Sequence, residues 1–199
     1  GTSNVALGYH SLFSNTTAGN NTAVGYQALL DNTTGGGNVG LGYLALANNT
    51  TASNNTAIGS GAGYSNTTGT IVAIGQSTLY SNTTGTNNIS IGKSDGTYGS
   101  ALQSNTTGVN NIALGNAALF ATTTGAANIA IGLQALRAST ANNNTALGHT
   151  AGSTLTTGSN NTIIGYGAQP SSATVSNEVT IGNASVNKVR MGNGDVIYP

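Results

Sequence analysis

The sequence predicts an all-β protein: a parallel β-roll or β-solenoid of about eleven 17-residue coils, assembled as a homotrimer. Three observations predict it. A short unit repeats through the whole chain, each unit carries strand-like alternation, and the composition is too poor in bulky apolar residues for a globular core.

The repeat is read from the glycine that closes each Ala-aliphatic-Gly phrase: Gly8, Gly25, Gly42, Gly59, Gly75, Gly92, Gly115, Gly132, Gly148, Gly165 and Gly182. Their spacings are 17, 17, 17, 16, 17, 23, 17, 16, 17 and 17, so the single long interval is a seventeen with six extra residues. A helical solenoid is excluded, because its unit exceeds thirty residues and this one is saturated with helix-disfavouring Gly, Asn and Thr.

The first element of each unit is a short strand, Asn-x-Ala-aliphatic-Gly. The residue before the glycine is aliphatic every time, in a file that includes Ile58, Ile74, Ile91, Leu114 and Ile131. Two residues earlier stands a β-branched side chain, as at Val5, Thr22, Val39, Thr56 and Val72. Positions two apart share one face of a strand, so these two files are expected on a common apolar face. The small residue between them, usually Ala, would let another layer approach the opposite face.

The second element is a file of Leu four residues after the glycine, Leu12, Leu29, Leu46 and Leu79 among them, expected as a shorter second strand. The third is Asn-Thr-Thr-Gly, whole at residues 32–35, 66–69, 82–85 and 105–108, read as the turn that swings the chain back. Coils stacked at about 4.8 Å would make a rod on the order of 50 Å long, with like residues in axial ladders. The position four before the glycine is predicted to be one such ladder, through Asn21, Asn38, Asn55, Asn88, Asn111 and Asn128, with Ile71 and Glu178 interrupting it.

Composition narrows the partners. Four Lys and Arg balance four Asp and Glu, only 4% of residues are charged, and no Cys or Trp is present. Neither nucleic acid nor an anionic membrane finds the positive field it needs, and no apolar run approaches a membrane span. A thin core calls for sister chains on a second apolar face, most simply three around an axis. The chain already begins inside a repeat, so it is expected to be a piece or a processed product of something longer. The repeat domain is placed at residues 1–186 and a C-terminal cap or junction at 187–199.

The phrases Asn21-Thr22-Ala23-Val24-Gly25, Asn55-Thr56-Ala57-Ile58-Gly59 and Asn128-Ile129-Ala130-Ile131-Gly132 resemble the head repeats of trimeric autotransporter adhesins of the YadA type. The longer phrase, with Tyr-x-Ala-Leu and Asn-Thr-Thr-Gly, is similar to repeats of bacteriophage tail fibres. The resemblance spans residues 4–186 and implies a left-handed, trimeric β-roll, with larger turns than the shorter adhesin repeat. The ending, from Asn177-Glu178-Val179 to Tyr198-Pro199, resembles the segment before the intramolecular chaperone of tail fibres and endosialidases. The function expected is a non-enzymatic fibre shaft or adhesin segment, extracellular, on a virion or bacterial surface. It would hold or form a surface for a cell-surface glycan or protein receptor. A tail fibre is the first reading and a bacterial adhesin head the alternative.

Sites are few. Asp31, Asp95, Glu178 and Asp195 fall in different columns, so no carboxylate pair is placed for acid and base work. His10 and His149 are eight coils apart, four acids cannot furnish a calcium roll, and no cofactor is expected. The candidate contact surface is the file Tyr9, Tyr26 and Tyr43, on which sugar rings could stack, together with the insertion carrying Lys93, Asp95 and Tyr98. A further alternative is an ice-binding β-solenoid, from the Thr file at Thr16, Thr33, Thr50 and Thr67, although a flat two-row plane conflicts with neighbours pointing to opposite faces.

Overall fold

A computed structural model describes residues 1–191 and 195–197. Its strands are β1 (Val5–Leu7), β2 (Thr22–Val24), β3 (Val39–Leu41), β4 (Thr56–Ile58), β5 (Ile71–Ile74), β6 (Asn88–Ile91), β7 (Ile112–Leu114), β8 (Ile129–Ile131), β9 (Thr145–Leu147), β10 (Thr162–Ile164) and β11 (Val179–Ile181). These eleven form one parallel sheet in chain order, a β-solenoid, and the described residues include no helix. Ile58 pairs with Ile74, Ile74 with Ile91, Ile91 with Leu114 and Leu114 with Ile131. The register therefore survives both a coil one residue short and the six-residue insertion.

The closing glycine explains why the phrase repeats. In ten of the eleven coils φ lies between 123 and 150°, a region closed to ordinary side chains. A Cβ on Gly25 would sit 2.4 Å from the carbonyl oxygen of Gly42 in the next coil. Each coil thus bends on a backbone that its neighbour covers directly.

The inner face of the strand is the one that carries the small residues. The central Ala file, Ala23, Ala57, Ala73, Ala113, Ala130 and Ala146, is fully buried in the core, whereas the flanking aliphatic files point outward. The coil is too narrow for two facing rows of Ile. Its interior is filled by one Leu and small Ala side chains per turn, including Ala28, Ala45, Ala118 and Ala135.

The Leu file is not a second strand. Leu12, Leu29, Leu46, Leu79, Leu102, Leu119 and Leu136 have φ of 46–52° and lie in a continuous turn. A left-handed Leu costs about 1–2 kcal/mol, and full burial of a Leu side chain returns roughly 1.5–3 kcal/mol. The turn also keeps its ladder: the Leu29 N–H donates to the Ala45 carbonyl at 3.0 Å, and that of Leu46 to Ala62 at 3.0 Å. In two coils Gly63 and Gly152 stand in the Leu file, and larger neighbours fill the space. The Ile71 Cδ1 lies 2.7 Å from where a Gly63 Cβ would be, and the Ile163 Cδ1 2.9 Å from that of Gly152.

Two buried amide ladders run beside this core. In the predicted file, each Asn Oδ1 accepts the backbone N–H of the file's next residue, Asn21 to Asn38 at 2.8 Å and Asn38 to Asn55 at 2.9 Å. The Asn21 Nδ2 donates to the Gly35 carbonyl of the turn at 3.0 Å. At the first of the two coils that are one residue short, Asn55 keeps its bond to the Ile71 N–H at 2.6 Å, and its Nδ2 has no partner. The second ladder is the Asn of Asn-Thr-Thr-Gly, which the sequence presents only as a turn residue. Asn49 Nδ2 donates to Asn32 Oδ1 at 2.7 Å, Asn82 to Asn66 at 2.8 Å and Asn105 to Asn82 at 2.7 Å.

Beyond the solenoid, β12 (Val189–Met191) and β13 (Asp195–Ile197) pair antiparallel. Of the cap segment 187–199, residues 192–194, 198 and 199 lie outside the described residues.

Candidate functional site

Three surfaces of the rod present side chains that could meet a partner. The first is the outer face of the parallel sheet. Because Ala takes the inner position, the aliphatic residues before each glycine stand outside, as do their β-branched companions two residues earlier. Leu41, Ile58, Ile91, Ile131, Leu147 and Ile164 are all exposed, at 37–48%. The face runs along all eleven strands, about 50 Å, and two side-chain columns are about 10 Å wide, so it offers roughly 500 Å². That is at the upper end of apolar patches on ordinary monomers and somewhat below one side of a standard protein interface. A groove of about 250 Å³ opens at its edge, between residues 70–72 and 87–89, beside the first of the two coils that are one residue short.

The second surface is aromatic. Tyr9 and Tyr26 stack with ring centroids 5.4 Å apart, and Tyr26 and Tyr43 at 5.4 Å, interplanar angles being 14 and 15°. His10 covers Tyr9 at 3.9 Å, and Phe13 lies 4.4 Å from His10. The tyrosine rings face one another, so the file offers edges and hydroxyls to solvent rather than the free ring faces on which a sugar would stack. Tyr64 and Tyr80 form a second stack, at 4.9 Å, five positions after their glycines. That column, which also holds Phe13, Phe120 and Arg137, was open to reading once the glycines were aligned.

The third surface is the insertion. The structure does not bring Lys93, Asp95 and Tyr98 to the tyrosine file, which ends three coils earlier. Tyr98 instead lies under Arg137, with the guanidinium carbon 5.7 Å from the ring centroid. Asp95 accepts the N–H groups of Thr97 at 2.8 Å and Tyr98 at 3.2 Å. The Thr97 N–H, followed by the Asn116 side chain, holds its carboxyl below the usual range. Asp95 therefore acts as the loop's own clasp.

The threonine files divide by function. Thr16, Thr33, Thr50 and Thr67 each donate a hydroxyl proton to a carbonyl of the next coil, at 2.9 to 3.2 Å. The adjacent file, Thr17, Thr34, Thr51, Thr68, Thr84 and Thr107, is exposed. At the end of the Asn file, the Glu178 backbone N–H donates to the Asn161 Oδ1 at 2.9 Å. Its carboxylate accepts from the Ser171 hydroxyl, the Ser171 N–H and the Thr180 hydroxyl, and these bonds lower its pKa. Among the described residues no three His, Cys, Asp or Glu side chains converge on a metal position.

Stacked coils, internal amide ladders and an uncovered apolar flank define a β-solenoid repeat protein. Comparison with protein-family models, with curated proteins and with solved structures finds no match.

Proposed function

We propose that the chain is a shaft segment of a homotrimeric extracellular fibre, a bacteriophage tail fibre, in which three copies pack their aliphatic sheet faces together. The observation that carries this reading is the file of outward Ile, Leu and Val before each glycine, which includes the exposed Leu41, Ile58, Ile91, Ile131, Leu147 and Ile164. It is flanked by a column that mixes Val and Ile with Thr22, Thr56, Thr145 and Thr162. Water contact over such a face is unfavourable by about 25 cal/mol per Å², and a second copy matches it coil for coil because every coil has the same height. The role is mechanical: the stacked coils hold a receptor-binding surface for a glycan or protein away from the particle.

The particle mass tests the proposal. Sedimentation equilibrium of the folded chain is expected to return three times 19.5 kDa, and Ile91→Lys with Ile131→Lys to return a folded monomer. A wild-type monomer would remove the trimer.

A further inference from the structure

The phrases that build the ladders also write the acceptor pattern for N-linked sugar, Asn-x-Ser/Thr, into thirteen positions of the chain. The fold sorts them sharply. Asn20, Asn54, Asn143 and Asn160 are exposed, whereas Asn32, Asn49, Asn66, Asn82, Asn88 and Asn105 are at most 1% exposed.

Sugar transfer from a diphosphate-linked carrier forms a bond from Asn Nδ2 to the sugar's C1. It breaks the C1–O bond to the carrier diphosphate and releases one Nδ2 proton. In the buried file that proton is already committed. Asn49 Nδ2 donates to Asn32 Oδ1 at 2.7 Å and to the Ala52 carbonyl at 3.0 Å, and Asn82 Nδ2 to Asn66 Oδ1 at 2.8 Å and the Gly85 carbonyl at 3.1 Å. In that file a substituted amide loses one of the two bonds, strands the facing acceptor and places a sugar inside the packed coil. Asn88, in the other ladder, is 1% exposed and holds the Gly108 carbonyl through its Nδ2 at 2.7 Å, a bond that substitution displaces.

We propose that N-linked sugar is compatible with this fold at the exposed Asn20, Asn54, Asn143 and Asn160 but prevents coil closure at the six buried asparagines. The protein is therefore built where Asn-x-Ser/Thr acceptors are not glycosylated before folding. The inference does not depend on how many copies assemble.

The test routes the full chain through a eukaryotic secretory pathway, with and without an inhibitor of glycan transfer, and measures site occupancy by mass spectrometry alongside the protease-resistant yield. Without inhibitor, occupancy at the buried asparagines is expected with a roughly tenfold or greater loss of resistant protein, and the inhibitor is expected to restore it. A second arm needs no inhibitor. Thr34, Thr51, Thr68, Thr84 and Thr107 to Val, with Ser90→Ala, erase all six buried acceptors. They leave every ladder asparagine in place, and the five threonines are exposed, with hydroxyls free of intramolecular hydrogen bonds among the described residues. This variant is expected to fold in the untreated pathway. Resistant wild-type protein made there, whether it bears sugar at Asn32 to Asn105 or leaves those sites empty, overturns the proposal. So does a wild-type chain that fails equally with the inhibitor present.

Discussion

The Asn32 Oδ1 accepts a hydrogen bond from the Asn49 Nδ2 at 2.7 Å, one coil away, and both side chains are fully buried. A polar contact of this kind holds register because each amide is satisfied only when its neighbours are in place.

Replacing Asn49 by Ala is therefore expected to cost about 2–4 kcal/mol in unfolding free energy, since it strands the Asn32 acceptor and the Asn66 donor together. Denaturant titration followed by circular dichroism reads the loss. A change within about 0.5 kcal/mol, the size of a neutral surface substitution, would contradict the ladder's structural role.

Size exchange in the core makes a second prediction. Ile163→Ala is expected to cost about 2–4 kcal/mol by opening a cavity, and Gly152→Leu about 1–3 kcal/mol by overpacking against Ile163 and Leu136. Together they restore the usual Ala and Leu columns, so the double variant should lie within about 1 kcal/mol of the parent. Additive losses would show that Gly152 and Ile163 do not share one space.

The glycine file is expected to be intolerant in proportion to how closely the next coil covers each position, from 2.4 Å at Gly25 to 3.1 Å at Gly165. Gly25→Ala places a methyl 2.4 Å from the Gly42 carbonyl oxygen at a φ of 136°, so the cost should exceed about 2 kcal/mol. Gly96→Ala in the insertion meets nothing within 4 Å, although its φ of 88° still carries strain, and should be milder. Amide hydrogen exchange around coils two and three separates a local opening from global loss.

Acid is expected to weaken the fold only at low pH. Hydrogen bonds lower the folded pKa of Glu178 below its ordinary 4.5 and of Asp95 below 3.8. A depressed carboxyl contributes stability that is complete above its unfolded pKa and disappears as pH falls through the folded value. The thermal midpoint should thus be level through neutral pH and decline below about pH 4.5, and Glu178→Gln should flatten part of that decline. An equally steep acid limb in Glu178→Gln would assign it elsewhere.

Much of this architecture is legible in the chain. Glycine spacing alone sets which residues become vertical neighbours, as the Ile58, Ile74 and Ile91 file illustrates. The Leu turn was harder to read, yet a signal exists. Ala28 and Leu29 are adjacent apolar residues, and both are fully buried, which a strand with a single inner face cannot arrange because consecutive strand residues point to opposite faces. The second amide ladder was hidden for another reason: Asn-Thr-Thr-Gly has the composition of any surface turn, and only coil stacking shows that its Asn points inward.

By itself the sequence determined the coil length, the parallel order of the strands and the polar file through Asn21 and Asn38, all of which follow from a side-chain pattern repeated at fixed intervals. Only the tertiary structure decided which face of the strand is inside. Alternation defines two faces without ranking them, and the larger apolar gain would favour burying Ile. Closure of a narrow coil around an inward left-handed Leu leaves room only for Ala. The Ile and Val files therefore remain on the outer surface.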